Sequence, residues 1–82
     1  RVLIIEDNFY QAEDTRESLA GAGAVVAACR ATPPDLDDLL AHTPVDIALL
    51  DINLGQIRSF DLARALLGRS IPCVFLTGYD PS

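Results

Sequence analysis

Short apolar runs alternate with segments of helical periodicity along the chain. Four of these runs have the length of a strand, at residues 1–6, 24–28, 47–50 and 73–76. A run that is apolar at consecutive positions is typical of a strand buried on both faces, as in the middle of a parallel sheet. The pattern therefore predicts four buried strands.

The segments between these runs have apolar residues at the spacing of a helix that covers a core. The first spans residues 9 to about 22, the second carries Leu36, Leu39 and Leu40, and the third carries Leu62, Ala63, Leu66 and Leu67. The residues predicted to cap their amino ends are Asp7 or Asn8, Thr32 (with proline in the first turn) and Ser59.

The resulting order is strand–helix repeated three times and closed by a fourth strand, with short connections. Such alternation predicts a parallel sheet covered on both faces and joined by right-handed crossovers. We expect an α/β, doubly wound, flavodoxin-like sheet with strand order 2-1-3-4.

The fourth strand, residues 73–76, has no polar edge and therefore predicts a neighbour on its far side. The chain also begins with Arg rather than Met, and it ends where a further helix and strand are expected. We therefore expect either that the natural domain continues past Ser82 by roughly a third of its length, with a fifth strand, or that a second chain covers this edge, as in a homodimer.

Composition narrows the classes of partner. The chain has twelve acidic and six basic residues, a net charge of −6, and every basic residue is Arg. An acidic surface without a basic cluster argues against direct binding to nucleic acid or to anionic membranes, and it suits metal cations or a basic protein. No run is long enough to span a membrane and no signal peptide is recognisable, so we expect a cytoplasmic protein in which Cys29 and Cys73 are reduced thiols.

Polar side chains follow three of the predicted strands. Glu6 and Asp7 follow the first, Asp51 the third and Thr77 the fourth. In a 2-1-3-4 sheet the first and third strands are neighbours, so the three carboxylates meet at the rim where open α/β sheets bind ligands. Crowded carboxylates repel one another, and a divalent cation removes that repulsion. A few oxygen ligands favour Mg²⁺.

Asp51 is a candidate nucleophile at this rim. A carboxylate attacks phosphorus to give an aspartyl-phosphate. Phosphoryl transfer needs mainly positioning and charge neutralisation, which a metal ion supplies. From its position after the fourth predicted strand, we expect Thr77 to donate a hydroxyl hydrogen bond to a phosphoryl oxygen.

Three segments, RVLIIEDN, VDIALLDINL and PCVFLTGY, closely resemble the receiver domains of two-component response regulators, and the resemblance covers residues 1–82. It implies that Asp51 accepts a phosphoryl group from a histidine kinase or phosphotransferase. It also implies that Asp7 binds Mg²⁺ directly, that Glu6 binds it through water, and that Asn53 supplies its backbone carbonyl. Thr77 is then the switch hydroxyl. The resemblance further implies a bacterial receiver that is a phosphorylation substrate rather than a turnover enzyme and that signals to an output domain or effector protein.

The LTGY segment is similar to a receiver subgroup with an F-A-T-G-x-Y-like signature, which implies a switching role for Tyr79. Receivers also use a Lys after a fifth strand to pair with the phosphoryl group, and this chain has no Lys, so we expect that residue beyond Ser82.

Two alternatives stay open. One is a degenerate receiver that binds proteins independently of phosphorylation. The other is an aspartyl phosphohydrolase, which usually needs a second acid two residues after the nucleophile, where this chain has Asn53.

Overall fold

The computed structural model describes residues 1–52 and 56–76, with only the helical backbone described for residues 56–58. The elements are β1 (Val2–Ile5), α1 (Phe9–Gly21), β2 (Val26–Arg30), α2 (Leu36–His42), β3 (Ile47–Asp51), α3 (Gln56–Leu67) and β4 (Cys73–Leu76). None of the helices in this described part is long and apolar enough to cross a membrane.

The four strands form one parallel sheet in the order β2-β1-β3-β4. This confirms the predicted flavodoxin-like topology. Ile5 of β1 lies opposite Arg30 of β2 and Leu50 of β3. The next residue, Glu6, therefore comes level with Asp51 at the carboxyl edge of the sheet.

The main core lies on the face of the sheet that α2 and α3 cover. Leu3, Ile5, Ala48 and Leu50 alternate along β1 and β3, and all four are completely buried. The helices contribute Leu36, Leu39, Leu62, Ala63 and Leu66. Val2 and Ile4 of β1 are buried on the opposite face, where α1 packs against β1 and β2. Burial of β1 on both faces explains its uninterrupted apolar sequence.

Strand β2 and helix α2 each begin later in the chain than predicted. Strand β2 begins at Val26 rather than Ala24, because the Ala24 N–H still donates to the Leu19 carbonyl and so belongs to the end of α1. Gly23, at φ +92°, makes the chain reversal that this bond needs. Helix α2 is capped by Asp35 rather than Thr32, since the Asp35 side chain accepts the N–H of Asp38.

The predicted cap of α1 is confirmed, whereas the predicted cap of α3 is wrong. Asn8 caps α1 by accepting the N–H of Gln11 at 3.1 Å. Ser59 does not cap α3, because the helix already begins at Gln56 and Ser59 lies inside it, completely buried. Cys29 and Cys73 are free thiols on β2 and β4, the two outer strands of the described sheet.

Candidate functional site

Three carboxylates meet at the carboxyl edge of the sheet. Glu6 and Asp7 follow β1, and Asp51 is the last residue of the neighbouring strand β3. One carboxylate oxygen from each of the three lies within 4.8 Å of the other two. The structure therefore brings together the acids that the sequence placed at one rim.

Glu6 and Asp51 are buried at this edge, with exposures of 4% and 1%, whereas Asp7 is exposed. Burial raises the pKa of Glu6 to about 7, and the hydrogen bond to Asp51 and the negative charge of Asp51 act in the same direction. The Asn8 backbone N–H donates to Glu6 Oε2 at 3.1 Å and opposes the rise in pKa. The Glu6 carboxyl group therefore takes up a proton more readily than an exposed glutamate does.

The beginning of α1 fixes the orientation of Glu6. Asn8 donates its backbone N–H to the Glu6 carboxylate, and its side chain caps the helix through Gln11. The Glu6 backbone N–H donates to the Arg30 carbonyl at 2.9 Å, which extends the β1–β2 pairing to the edge. Glu6 is thus held through both its main chain and its side chain.

Asp51 is fixed through its main chain as well. The Ser59 hydroxyl donates to the Asp51 carbonyl at 2.9 Å, and Asp51 lies opposite Leu76 of β4. Sequence reasoning missed this contact. A signal was available, because Ser59 stands three and seven residues before Leu62 and Leu66, on the buried face of α3.

The donor set fits a hard divalent cation. All three side chains offer carboxylate oxygens, and a +2 charge offsets the repulsion that two buried acids suffer beside a third. Because Asp7 is exposed, a cation can reach the three carboxylates from solvent. Asn53, Thr77 and Tyr79, to which the resemblance gives further roles, lie outside the described residues.

Two exposed aromatic residues stand next to the acids. Phe9 and Tyr10 open helix α1 and are 70% and 79% exposed. Their rings are in edge-to-face contact, with centroids 5.6 Å apart. Large apolar side chains exposed together often mark a protein interaction surface.

No protein-family model matches the chain, and no curated protein sequence does. Solved structures do match. The BeF3-activated conformation of SdrG from Pseudomonas melonis Fr1 is 31% identical with a TM-score of 0.80, and the match covers 98% of this chain and 69% of SdrG.

The signal receiver domain of a modulated diguanylate cyclase from Desulfovibrio desulfuricans G20, described as an example of alternate folding, is 30% identical with a TM-score of 0.83. That match covers 96% of this chain and 65% of the longer one, so the chain spans slightly less than two thirds of that structure. The MaeR response regulator bound to beryllium trifluoride shares the fold at 23% identity and a TM-score of 0.69, over 96% of this chain and 67% of MaeR.

The sheet order, the acids at its carboxyl edge and these similarities agree with one another. The chain belongs to the receiver domains of response regulators.

Proposed function

We propose that this receiver domain accepts a phosphoryl group on Asp51, with Mg²⁺ bound beside it, and passes the change to a partner or output domain. The observation that carries the proposal is the position of Asp51, buried at the end of β3 with carboxylate oxygens of Glu6 and Asp7 within 4.8 Å. The likeness to SdrG supports it, because the SdrG structure is a BeF3-activated conformation and BeF3 has the shape and charge of a phosphoryl group.

In the transfer, a carboxylate oxygen of Asp51 forms a bond to phosphorus while the bond from phosphorus to the donor atom breaks. The donor atom leaves with its electron pair, and the product is an aspartyl-phosphate on Asp51. Asp51 must be deprotonated to attack.

The cation would be held directly by Asp7 and Asp51 and through water by Glu6, and it supplies charge neutralisation during transfer. Asn53 would add its backbone carbonyl. We assign Thr77 as the switch hydroxyl and Tyr79 as a second switch residue on the basis of the family resemblance. These assignments make the domain a phosphorylation substrate with self-catalysed transfer rather than a turnover enzyme.

The donor in this proposal is a histidine kinase or phosphotransferase, and the exposed Phe9–Tyr10 pair beside the acids offers it a contact surface. We place the signalling event in the cytoplasm, in agreement with the free thiols of Cys29 and Cys73.

The test is incubation of the full-length protein with acetyl phosphate and Mg²⁺, followed by intact mass measurement. We expect a mass increase of one phosphoryl group that is lost in Asp51→Asn and retained in Asp61→Asn, which changes an exposed acid on α3. No adduct on the wild-type protein would contradict the proposal. Partner binding that is equal in wild type and Asp51→Asn, with or without Mg²⁺, would favour a phosphorylation-independent scaffold instead.

A further inference from the structure

Ser59 makes a contact that its place in α3 does not require. It is the fourth residue of the helix, and a serine inside a helix usually either points its hydroxyl to solvent or donates it to a nearby carbonyl one turn earlier. Here the Ser59 hydroxyl donates instead to the main-chain oxygen of Asp51 in β3, eight residues earlier, at 2.9 Å. The side chain is completely buried, so water does not compete for this bond.

The carbonyl that receives this bond belongs to the acceptor residue itself. Its direction is set by the last backbone torsion of Asp51, and the position of the following chain depends on the same torsion. The bond therefore restrains the peptide plane at the end of β3, where the carboxylate must lie within 4.8 Å of Glu6 and Asp7.

We infer that Ser59 is a positioning residue for the metal and acceptor site, acting through the main chain of Asp51. This inference rests on the proposed function of Asp51. A helix residue that holds the acceptor strand in place couples the amino-terminal part of α3 to the geometry of the three carboxylates. Sets of ligands that must converge on a small cation tolerate little displacement, because Mg²⁺ requires near-octahedral geometry.

A buried serine that only satisfies its own hydroxyl would affect stability and nothing else. The two roles separate when metal affinity and thermal stability are measured on the same variants. Ala63→Gly is the matched control, because Ala63 lies one turn further along the buried side of α3 and contributes to the core, while its side chain makes no bond to Asp51. Both substitutions lower stability, Ala63→Gly through helix propensity and Ser59→Ala through loss of a buried hydrogen bond, and Ser59→Ala alone removes the bond to the acceptor.

The experiment is calorimetric titration of the full-length protein with MgCl2, combined with Tm and with the phosphorylation rate from acetyl phosphate. For Ser59→Ala we expect Kd for Mg²⁺ to rise roughly tenfold, the low end for loss of a residue that orients a ligand. Phosphorylation at a fixed low Mg²⁺ concentration slows in proportion. Ala63→Gly lowers Tm and leaves Kd within about twofold of wild type.

An unchanged Kd in folded Ser59→Ala would overturn the inference, as would an equal rise of Kd in Ala63→Gly at the same loss of Tm. If Ser59→Ala does not fold, Ser59→Cys takes its place with the same expectation, because a thiol is a much weaker donor than a hydroxyl. Wild-type protein that neither binds Mg²⁺ nor becomes phosphorylated would overturn the proposed function, whereas a wild type that does both while Ser59→Ala matches it overturns only the role of Ser59.

Discussion

Carboxylate oxygens of Glu6 and Asp51 lie within 4.8 Å of each other at the ends of the neighbouring strands β1 and β3, and both side chains are buried. Burial, reinforced by the neighbouring Asp51 carboxyl group, raises the pKa of Glu6 from its ordinary value of 4.5 to about 7. The folded, metal-free protein therefore binds a proton that the unfolded chain has already released at pH 6.

The first prediction concerns stability against pH. Because the pKa of Glu6 is higher in the folded state, the folded state binds more protons between about pH 4.5 and 7, and stability falls as pH rises through this window. The loss amounts to roughly 3 kcal/mol at most, at about 1.4 kcal/mol per pH unit. Urea unfolding without divalent cations, at several pH values, measures it. Glu6→Gln should flatten this part of the profile, and a wild-type profile that already lacks the decline would contradict the prediction.

The second prediction concerns the pH dependence of metal binding. A cation at the acids must displace the proton that Glu6 holds, so affinity for Mg²⁺ should increase from pH 6 to pH 8 and proton release should decrease. Calorimetry in two buffers with different ionisation enthalpies counts the protons released. Equal affinity at both pH values, with no proton release, would show that Glu6 and the metal do not compete.

The third prediction concerns Asp7, the exposed member of the cluster. Asp7→Asn removes one charged ligand, and we expect Mg²⁺ affinity to fall by at least about tenfold, with a matching loss of phosphorylation by acetyl phosphate. Stability without metal should stay the same or increase, because one repelling charge is gone. Asp14→Asn, on the exposed side of α1, is the control and should change none of these three quantities.

The fourth prediction concerns the aromatic pair that opens α1. Replacing Phe9 and Tyr10 by Ala should slow phosphoryl transfer from a protein donor by about tenfold or more, because large aromatic side chains often dominate interface energetics. Phosphorylation by acetyl phosphate should be unaffected, since the small donor needs no docking surface. Val25→Ala changes a residue that is 61% exposed at the opposite edge of the sheet, and it should alter neither reaction. If phosphoryl transfer from both donors slows equally, the aromatic pair acts on the structure of the phosphorylation site rather than on the docking of a partner, which would contradict the prediction.

The fold could be predicted from the sequence because each element is marked by its own pattern of apolar residues, and the same two patterns repeat along the chain. Each strand is an uninterrupted apolar run, each helix has its own apolar side, and their alternation leaves few sheet orders open. The convergence of Glu6, Asp7 and Asp51 followed from that order alone. The assigned family roles of Asn53, Thr77 and Tyr79 stay predictions, since these residues lie outside the described part.

The misses share a physical cause. Ser59, Thr32 and Ala24 were interpreted from residue preference, and each outcome depends on hydrogen bonds that the sequence does not display. Ser59 donates its hydroxyl to the Asp51 carbonyl of β3 rather than to its own helix. Asp35 accepts the capping hydrogen bond of α2. The Ala24 N–H donates to the Leu19 carbonyl at the end of α1. Residue preferences identify candidates for such bonds, and the backbone geometry of the folded chain determines which of them form.

The pairing of β1 with β3 has a consequence for the order of events when the protein folds. Glu6 and Asp51 lie far apart in the chain and become neighbours only when Ile5 is opposite Leu50. Under the proposed function, an unfolded or partly synthesised chain therefore has an aspartate at position 51 but no acceptor site. Metal binding then favours the completed fold by mass action, and only finished molecules compete for the phosphoryl donor.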